Sequence, residues 1–199
     1  MSVAVFDYGA GNLFNITLAL ERQGLDAKVV DRIPEGSEFD GLVLPGVGNF
    51  RPAMSRLRPY RDRIAEMATQ GRSVLGICLG MQLMFESSEE GPSDGLTLIK
   101  GKVVRLPGSV KIPHMGWNQL NIIKPSVVLE GVSEGSWCYF AHSYYPHADE
   151  SIVAAKTEYG VAFPSVIESG SLIGTQFHPE KSGRIGEALL HNFAKILRR

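Results

Sequence analysis

The first half of the chain alternates short apolar runs with segments of helical periodicity. Residues 13–23 and about 52–70 carry the spacing that predicts amphipathic helices. Short, nearly continuous apolar strands with helices between them indicate a parallel sheet that is covered on both faces. We therefore predict strands in this half at residues 3–6, 26–31, 39–44 and 73–77.

From about residue 95 onward, β segments replace this alternation until a last amphipathic helix at residues 183–197. The chain shows no linker, internal repeat or low-complexity tract, so one domain covering residues 1–199 is expected. The predicted fold class is α/β, a mostly parallel sheet flanked by helices with an antiparallel β extension in the second half. The segments of that extension are residues 96–106, 119–123, 136–144, 152–157, 163–168 and 171–176.

Composition and charge exclude several classes of protein. Hydrophobic residues make up 44% of the 199, and the formal net charge of −1 does not indicate a protein that binds nucleic acid or a membrane surface. No apolar run approaches the length of a bilayer span, and the N-terminus has no signal-peptide pattern. Cys78 and Cys138, far apart in sequence, do not make a disulfide framework. We therefore expect a cytoplasmic protein.

Cys78 has the sequence setting of a nucleophile. Gly76 lies two residues before it and Gly80 two residues after it, between an apolar stretch and a helix-like segment. This G-x-C-x-G pattern predicts a sharp turn from strand to helix, in which side chains at the two flanking positions would collide. The positive end of the following helix would favour a thiolate. A lone cysteine is more often a small buried hydrophobe, but the two glycines favour the nucleophile.

The loop after the third predicted strand reads LPGVGNF, residues 44–50. Two glycines around one residue permit unusual backbone angles, so the amides of Val47 and Gly48 can point into a site. Beside a nucleophilic cysteine, these amides would form an oxyanion hole together with the amide of Leu79. In isolation, the pattern P-G-x-G favours an ordinary tight turn.

His178 and Glu180 follow the last predicted strand in the segment GTQFHPE, residues 174–180. A histidine at a strand end can take and return the proton of a thiol, and the glutamate can hold the other ring nitrogen. Pro179 constrains the turn between them. A lone histidine beside a carboxylate is more often structural, but together with a separate cysteine elbow the pair indicates an acyl-transfer enzyme with a Cys-His-Glu triad.

Two other kinds of site are disfavoured. Gly9 and Gly11 open a helix as a phosphate loop does, but Phe14 stands where a dinucleotide fingerprint needs glycine. A packed β-bend is the default expectation around Trp117. We expect no metal and no other cofactor, since no metal-ligand spacing relates the cysteines to the histidines, which are His114, His142, His147, His178 and His191.

The order P-G-x-G, G-x-C-x-G-x-Q and H-P-E resembles the triad, or class I, glutamine amidotransferases. The resemblance runs from the first predicted strand to the last helix. Longer matches at residues 8–12, 113–118, 139–144 and 174–182 resemble one branch of that family, the glutaminase subunits of histidine biosynthesis. No triad position departs from the pattern. Ala10 stands where relatives often have proline, on the expected partner face.

The resemblance implies hydrolysis of glutamine to glutamate and ammonia through a thioester. Cys78 would attack the side-chain amide, His178 would relay the proton and Glu180 would orient the ring. The oxyanion would lie on the amides of Val47 and Leu79. The two ends of the substrate would be held by Gly48, Gln82, His142, Ser143 and Tyr144.

The resemblance also implies a heterodimer. The ammonia would pass to a separate cyclase subunit, a (β/α)₈ barrel, whose products are imidazole glycerol phosphate and an aminoimidazole carboxamide ribotide (AICAR). Asn12, Tyr139 and Lys181 lie in the matched motifs, but the triad does not need them. We therefore expect these residues at the interface with the partner.

Two alternatives stay open on the residues alone. A stand-alone cysteine hydrolase of the same fold, such as a γ-glutamyl peptidase or hydrolase, would work without a partner. A binding or interaction module would keep the sheet and use no thiolate, but such a module has no need of His178 and Glu180 beside an elbow cysteine.

Overall fold

An eight-stranded sheet forms the centre of the structure, a computed structural model that describes residues 1–9, 11–33, 38–91 and 93–198. Two smaller sheets, of four and two strands, are formed by strands that begin at residue 87 or later. The described strands are β1 (Ser2–Phe6), β2 (Asp26–Val30), β3 (Gly41–Leu44), β4 (Ser73–Ile77), β5 (Ser87–Ser88), β6 (Ser93–Asp94), β7 (Gly101–Arg105), β8 (His114–Gln119), β9 (Asn121–Ile122), β10 (Trp137–His142), β11 (Tyr144–Ala148), β12 (Val153–Glu158), β13 (Ala162–Ser169) and β14 (Leu172–Thr175).

The strand order of the large sheet is β2-β1-β3-β4-β14-β13-β12-β9. The first five of these strands run parallel to one another, and the last three extend the sheet with antiparallel pairs. This arrangement confirms the predicted fold class. It also places the end of β14 next to the end of β4, two strands that are far apart in the sequence.

Helices cover both faces of this sheet. Alternate residues of β1 show the division, because Val3 and Val5 face one apolar core and Ala4 and Phe6 face the other. Fully burying a large apolar side chain stabilises the fold by about 1.5–3 kcal/mol. The longer helices are α1 (Leu13–Glu21) and α5 (Gly183–Ile196) against the first core, and α2 (Phe50–Leu57) and α3 (Arg61–Thr69) against the second. None of the described helices is both long and apolar enough to cross a membrane.

The single helix predicted at residues 52–70 is wrong. The chain forms α2 and α3 there, separated by a 3₁₀ turn at Arg58–Tyr60. Pro59 lies at the start of that turn. Proline has no N–H to donate and its ring clashes with the carbonyl four residues earlier, so one continuous helix cannot pass through it.

The strand predicted at residues 136–144 is also two elements. β10 pairs with β8 in the two-stranded sheet, whereas β11 pairs with β7 in the four-stranded sheet. Ser143 stands between them, where the chain passes from one sheet to the other. The strand predicted at residues 96–106 is shorter than expected, since only β7 forms within it.

The segment around Trp117 is a strand and not a packed bend. Trp117 lies opposite Tyr139 in the β8–β10 pair. Successive side chains point to opposite faces of a strand, so His114 is 3% exposed, whereas Met115 and Trp117 are 66% and 54% exposed. The default expectation was wrong because only one face of this pair is covered. Ala10 lies outside the described residues.

Candidate active site

Three neighbouring parallel strands end at one edge of the large sheet, and the predicted site residues follow them. β3, β4 and β14 lie side by side, and ligand sites of open α/β sheets form beyond such carboxyl ends. β3 leads into the loop at residues 45–49, β4 leads into Cys78, and β14 leads to His178. Strand order therefore gathers residues from three distant parts of the chain.

Cys78 lies in a strained turn between two closely packed glycines. Its φ of +51° and ψ of −105° are rare for a residue with a side chain. A Cβ added to Gly76 would lie 2.6 Å from the nitrogen of Met81, and one added to Gly80 would collide with the carbonyl oxygen of Leu44. The collision that the sequence predicts at both glycines is confirmed.

The helix after Cys78 is only one turn long. It is α4 (Leu79–Gln82), so its dipole is smaller than the prediction of a following helix implied. Negative charge near Cys78 would therefore be stabilised more by individual backbone amides than by the helix as a whole. The N–H of Cys78 already donates to the carbonyl of Thr175 at 2.7 Å. First-turn amides have no partner within their helix, which leaves the Leu79 amide for an oxyanion.

His178 and Glu180 form a buried pair. Nδ1 of the ring lies 2.9 Å from Oε1 of Glu180, and the two side chains are 2% and 5% exposed. The N–H of His178 donates to the carbonyl of Tyr139 at 2.9 Å, and the hydroxyl of Ser182 donates to the carbonyl of His178 at 2.7 Å. These bonds fix the ring, whose Nε2 has no hydrogen-bond partner among the described residues.

Cys78 is a close neighbour of this ring. Burial lowers the pKa of His178, but the nearby sulfur of Cys78 and then Glu180 outweigh burial and raise the pKa to about 10. Nε2 makes no hydrogen bond of ordinary geometry to any described residue, so the sulfur acts on the ring mainly through its charge, and catalytic contacts often tighten only when substrate binds. At neutral pH the ring keeps its proton and can deliver it to a leaving group.

A cleft of about 200 Å³ opens over Cys78. His178 and Glu180 are buried and do not line it. The cleft brings together all the residues that were predicted for the oxyanion hole and for the substrate, although their roles stay predictions. These lining residues are Val47, Gly48, Leu79, Gln82, His142, Ser143 and Tyr144.

Gln176 is a site residue that sequence reasoning missed. Its Nε2 donates to the sulfur of Cys78 at 3.5 Å, and its Oε1 accepts from Nε2 of Gln82 at 3.1 Å. Gln82 also donates to the carbonyl of Tyr144 at 2.7 Å, so both hydrogens of its amide are in use and Oε1 is the atom left for a substrate. The signal was present, because Gln176 stands two residues before His178 in the same motif.

The loop at residues 45–49 is anchored at both ends. The phenol of Tyr8 donates to the carbonyl of Pro45. At the other end, the N–H of Phe50 donates to Oε2 of Glu90 at 3.0 Å. Movement within the loop is therefore confined to the few residues between these two anchors.

The two glycines of this loop have different functions. Gly48 has a φ of +123°, and a Cβ added there would meet nothing within 4 Å. Gly46 has no left-handed φ, but a Cβ there would lie 2.7 Å from Cβ of Leu79 and 2.8 Å from the hydroxyl of Tyr8. The prediction of unusual angles thus holds for Gly48, whereas close packing requires Gly46. The open space around Gly48 and the exposed side chain of Val47 leave room for the peptides on either side of Val47 to rotate.

Glu90 is a second residue that sequence reasoning missed. It is the one carboxylate among the described residues that line the cleft. Burial raises the pKa of Glu90, and the N–H of Phe50 acts against this by lowering it. Glu90 lies in a polar segment without helical or strand periodicity, so no pattern separated it from the neighbouring glutamates Glu86 and Glu89.

The residues predicted for the partner interface lie outside the cleft. Oδ1 of Asn12 accepts from the N–H of Asn15 at 3.1 Å and so caps α1. The ammonium of Lys181 lies 5.8 Å from the ring centre of Tyr139. Tyr139 and Lys181 are thus brought together, whereas the contacts of Asn12 give it a structural role in addition to any contact with a partner.

A largely exposed apolar strip includes Tyr139. The strip, which we call the aromatic strip, consists of Met115, Trp117, Trp137 and Tyr139 on one face of the β8–β10 pair. Trp137 is 53% exposed, and Trp117 meets Tyr139 edge-on with ring centres 6.1 Å apart. Met115 also lines the cleft. Contiguous exposed apolar patches of this kind mark interaction surfaces.

Comparison with known proteins decides the family. A profile described as "Glutamine amidotransferase class-I" matches residues 4–197. The chain belongs to the class-I glutamine amidotransferases. This membership agrees with the family resemblance of the motifs and with the Cys78, His178 and Glu180 arrangement.

Curated relatives match along nearly the whole chain. A protein named "Imidazole glycerol phosphate synthase subunit HisH" from Methanothermobacter thermautotrophicus is 46% identical over 98% of this chain and 99% of its own. Proteins of the same name from Geobacillus kaustophilus and Halobacterium salinarum are 47% and 46% identical, over 98% and 96% of this chain and 96% and 92% of their own.

Solved structures share the class-I amidotransferase fold at lower identity. A putative GMP synthase protein from Thermoplasma acidophilum has a TM-score of 0.78 with 22% identity and covers 100% of this chain and 94% of its own. A structure described as a glutamine amidotransferase has a TM-score of 0.77 with 20% identity and covers 99% of both chains. At these identities the likeness shows the fold alone.

Iodoacetamide at neutral pH should alkylate Cys78 and spare Cys138. Cys78 lines the cleft beside a protonated His178, whereas Cys138 is fully buried and burial raises its pKa to about 12. Peptide mapping by mass spectrometry reports each site separately. The variant Cys78→Ala should take up no label. Equal labelling of both cysteines in the folded protein would contradict an activated Cys78.

His178→Asn should reduce glutamine hydrolysis more than Glu180→Gln. Loss of the proton carrier removes acid–base catalysis, which contributes about 10²–10⁴-fold. Loss of the orienting carboxylate removes one hydrogen bond to a charged group, worth about 10- to 100-fold. The measurement is glutamate release per Cys78 thiol. Equal losses in the two variants would show that Glu180 does more than orient the ring.

Proposed function

We propose that this chain is the glutaminase subunit of an imidazole glycerol phosphate synthase. The observation that carries the proposal is the cleft over Cys78, with His178 and Glu180 beside it, in a chain about 46% identical along almost its full length to proteins of that name. The subunit hydrolyses glutamine to glutamate and delivers the ammonia to a cyclase subunit, which forms imidazole glycerol phosphate and AICAR in histidine biosynthesis.

Two predictions from the sequence remain part of this proposal. The first is one amidotransferase domain covering residues 1–199, which the match over residues 4–197 supports. The second is a cytoplasmic location, for which the support is that both cysteines, Cys78 and Cys138, are free.

The first half of the reaction releases ammonia. The sulfur of Cys78 attacks the side-chain carbonyl carbon of glutamine and forms a carbon–sulfur bond, while the carbonyl oxygen becomes an oxyanion on the amides of Leu79 and Val47. His178 gives its proton to the amide nitrogen. The carbon–nitrogen bond then breaks, ammonia leaves, and a γ-glutamyl thioester remains on Cys78.

The second half of the reaction regenerates the enzyme. Nε2 of His178, now without a proton, takes one from a water molecule as that water attacks the thioester carbonyl. The carbon–sulfur bond breaks, glutamate leaves and the sulfur returns to its starting state beside the protonated ring. Glu180 keeps the ring oriented through Nδ1 in both halves.

The charged ends of glutamine fit the polar groups of the cleft. Glu90 supplies the carboxylate that an α-ammonium group requires, and Oε1 of Gln82 is available as a further acceptor. The backbone of residues 142–144 and the N–H of Gly48 hold the remaining polar atoms. Glu90 thus extends the set of substrate-binding residues beyond those predicted from the sequence.

The partner docks on the face that carries the aromatic strip and Lys181. The strip is exposed and apolar and touches the rim of the cleft through Met115, so a partner seated there would lie next to the point where ammonia forms. Two further parts of the proposal, a contact of Asn12 with the partner and a (β/α)₈-barrel fold for the cyclase, rest on the family resemblance alone. A stand-alone γ-glutamyl hydrolase, the alternative activity, has no use for such a strip.

Glutaminase activity should depend on the cyclase subunit, and Val47→Pro should weaken that dependence. A turn of the peptide that carries the N–H of Val47, the one between Gly46 and Val47, brings this second donor to the oxyanion, and one such donor is worth about 10²–10³-fold in turnover. Proline removes that N–H. The measurement is glutamate release by the wild type and the variant, each with and without the ligand-bound cyclase subunit.

The control for this experiment is Cys78→Ala in the complex supplied with free ammonium, which should still support the cyclase reaction because only the ammonia source is lost. Strong turnover by the wild-type chain alone, unchanged by the cyclase, would reject the switch and favour the stand-alone hydrolase.

Tyr139→Ala and Lys181→Ala should weaken binding of the cyclase partner and leave the basal chemistry intact. Each removes a side chain from the proposed docking face, and neither side chain touches the cleft. Calorimetric titration with the cyclase subunit measures binding, and glutamate release measures the chemistry. Val29→Ala, a half-exposed apolar residue on edge strand β2, is the matched control and should bind normally. Normal binding by both test variants would place the docking surface elsewhere.

A further inference from the structure

A buried chain of hydrogen bonds leads from β8 to the floor of the cleft. Nδ2 of Asn118 lies 3.3 Å from Nε2 of His114, and Nδ1 of His114 lies 3.0 Å from Nε2 of His142. Nδ1 of His142 lies 2.9 Å from the carbonyl oxygen of Tyr144. His114 and His142 are only 3% and 5% exposed, and the triad chemistry uses neither ring.

The donors and acceptors in this series of hydrogen bonds follow from the groups at its two ends, the carbonyl of Tyr144 and the amide of Asn118. A carbonyl oxygen only accepts, so Nδ1 of His142 must carry the hydrogen that reaches Tyr144, and Nε2 of a neutral His142 is then an acceptor. His114 must therefore donate from Nδ1 and accept at Nε2. The second hydrogen of the Asn118 amide goes to the carbonyl of Glu158 at 2.9 Å. Every polar atom of both rings is satisfied in this one arrangement.

Burial supports two neutral rings. It lowers the pKa of His114 to about 4 and that of His142 to about 3. A second proton on either ring would bring two donors face to face and break the series. The ring of His114 is also held from the sides, stacked on Tyr159 and Phe140 with ring centres 3.9 Å and 4.9 Å away.

The hydrogen-bond series ends at the carbonyl of Tyr144, a group that the proposed function uses. The carbonyl of Tyr144 accepts from Nε2 of Gln82 at 2.7 Å as well as from His142. Gln82 in turn donates to Gln176, whose amide reaches the sulfur of Cys78. The position of the Tyr144 carbonyl therefore decides where the Gln82 amide points in the cleft.

We infer that Asn118, His114 and His142 form a positioning relay that fixes the Tyr144 carbonyl and the Gln82 side chain for glutamine. The inference rests on the proposed function and adds positioning residues to it. A fixed acceptor makes Gln82 present Oε1 to the substrate before the substrate arrives, which lowers the cost of binding. Without the relay, Gln82 keeps its donors but loses a fixed direction.

The kinetic test is His114→Phe, which keeps the stacking volume between Tyr159 and Phe140 and removes both nitrogens. The KM for glutamine in the cyclase complex should rise by about 3- to 10-fold, the value of one hydrogen bond between neutral groups, with a smaller change in kcat. His114→Gln restores a donor and an acceptor and should recover part of the loss. Tyr159→Phe, which removes only a bond to the carbonyl of Lys111, should leave KM unchanged.

A second measurement does not depend on activity or on the variant folding. Nitrogen-15 spectra of the imidazoles in the wild-type chain at neutral pH should show His114 and His142 neutral, each with its hydrogen on Nδ1. A charged ring or an Nε2 hydrogen at either residue would overturn the relay. So would a wild-type KM in a folded, active His114→Phe complex. If the wild-type complex released no glutamate, the proposed function would fail, and the spectra alone would decide the relay.

Discussion

The close approach of the one-turn helix α4 to the end of β3 is the constraint on which the site depends. Gly80 lies against the carbonyl of Leu44 so tightly that no side chain fits, and a Cβ at Gly76 would lie 2.6 Å from the nitrogen of Met81. A chain that leaves β4 under these contacts can turn only through the rare backbone angles of Cys78. The strain is held by packing on both sides, which fixes the backbone that carries the sulfur.

Strand order supplies the remaining chemistry, and much of it could be predicted from sequence. Periodicity indicated the parallel strands, and the rule that sites form at their carboxyl ends directed attention to the loops that hold Val47, Cys78 and His178. Those residues lie in motifs with glycines and a proline, whose effects on the backbone depend on a few neighbouring residues only. Such effects can therefore be predicted without knowledge of the fold.

What could not be predicted depends on distant pairing. The carboxylate of Glu90, which lines the cleft, accepts from the N–H of Phe50, forty positions away, and nothing in its own neighbourhood of the sequence indicates this contact. His114 and His142 meet because β8 and β10 pair in one register. The break at Pro59 is different, because a proline in the sequence is itself a signal that a helix ends. The prediction of one helix over residues 52–70 relied on hydrophobic periodicity and did not use that signal.

The same constraints explain why the proposed control of the chemistry is assigned to the backbone around Val47. The elbow fixes the sulfur, and buried hydrogen bonds fix the ring of His178 and the amide of Gln82. Anchors at Pro45 and Phe50 then hold the ends of the remaining loop, which leaves the peptides on either side of Val47 as the part of the site with room to rotate. A partner that acts on the glutaminase therefore has little to move except an oxyanion donor. In the proposed mechanism that donor stabilises only the charged intermediate, so control of it would change turnover while the rest of the site stays assembled.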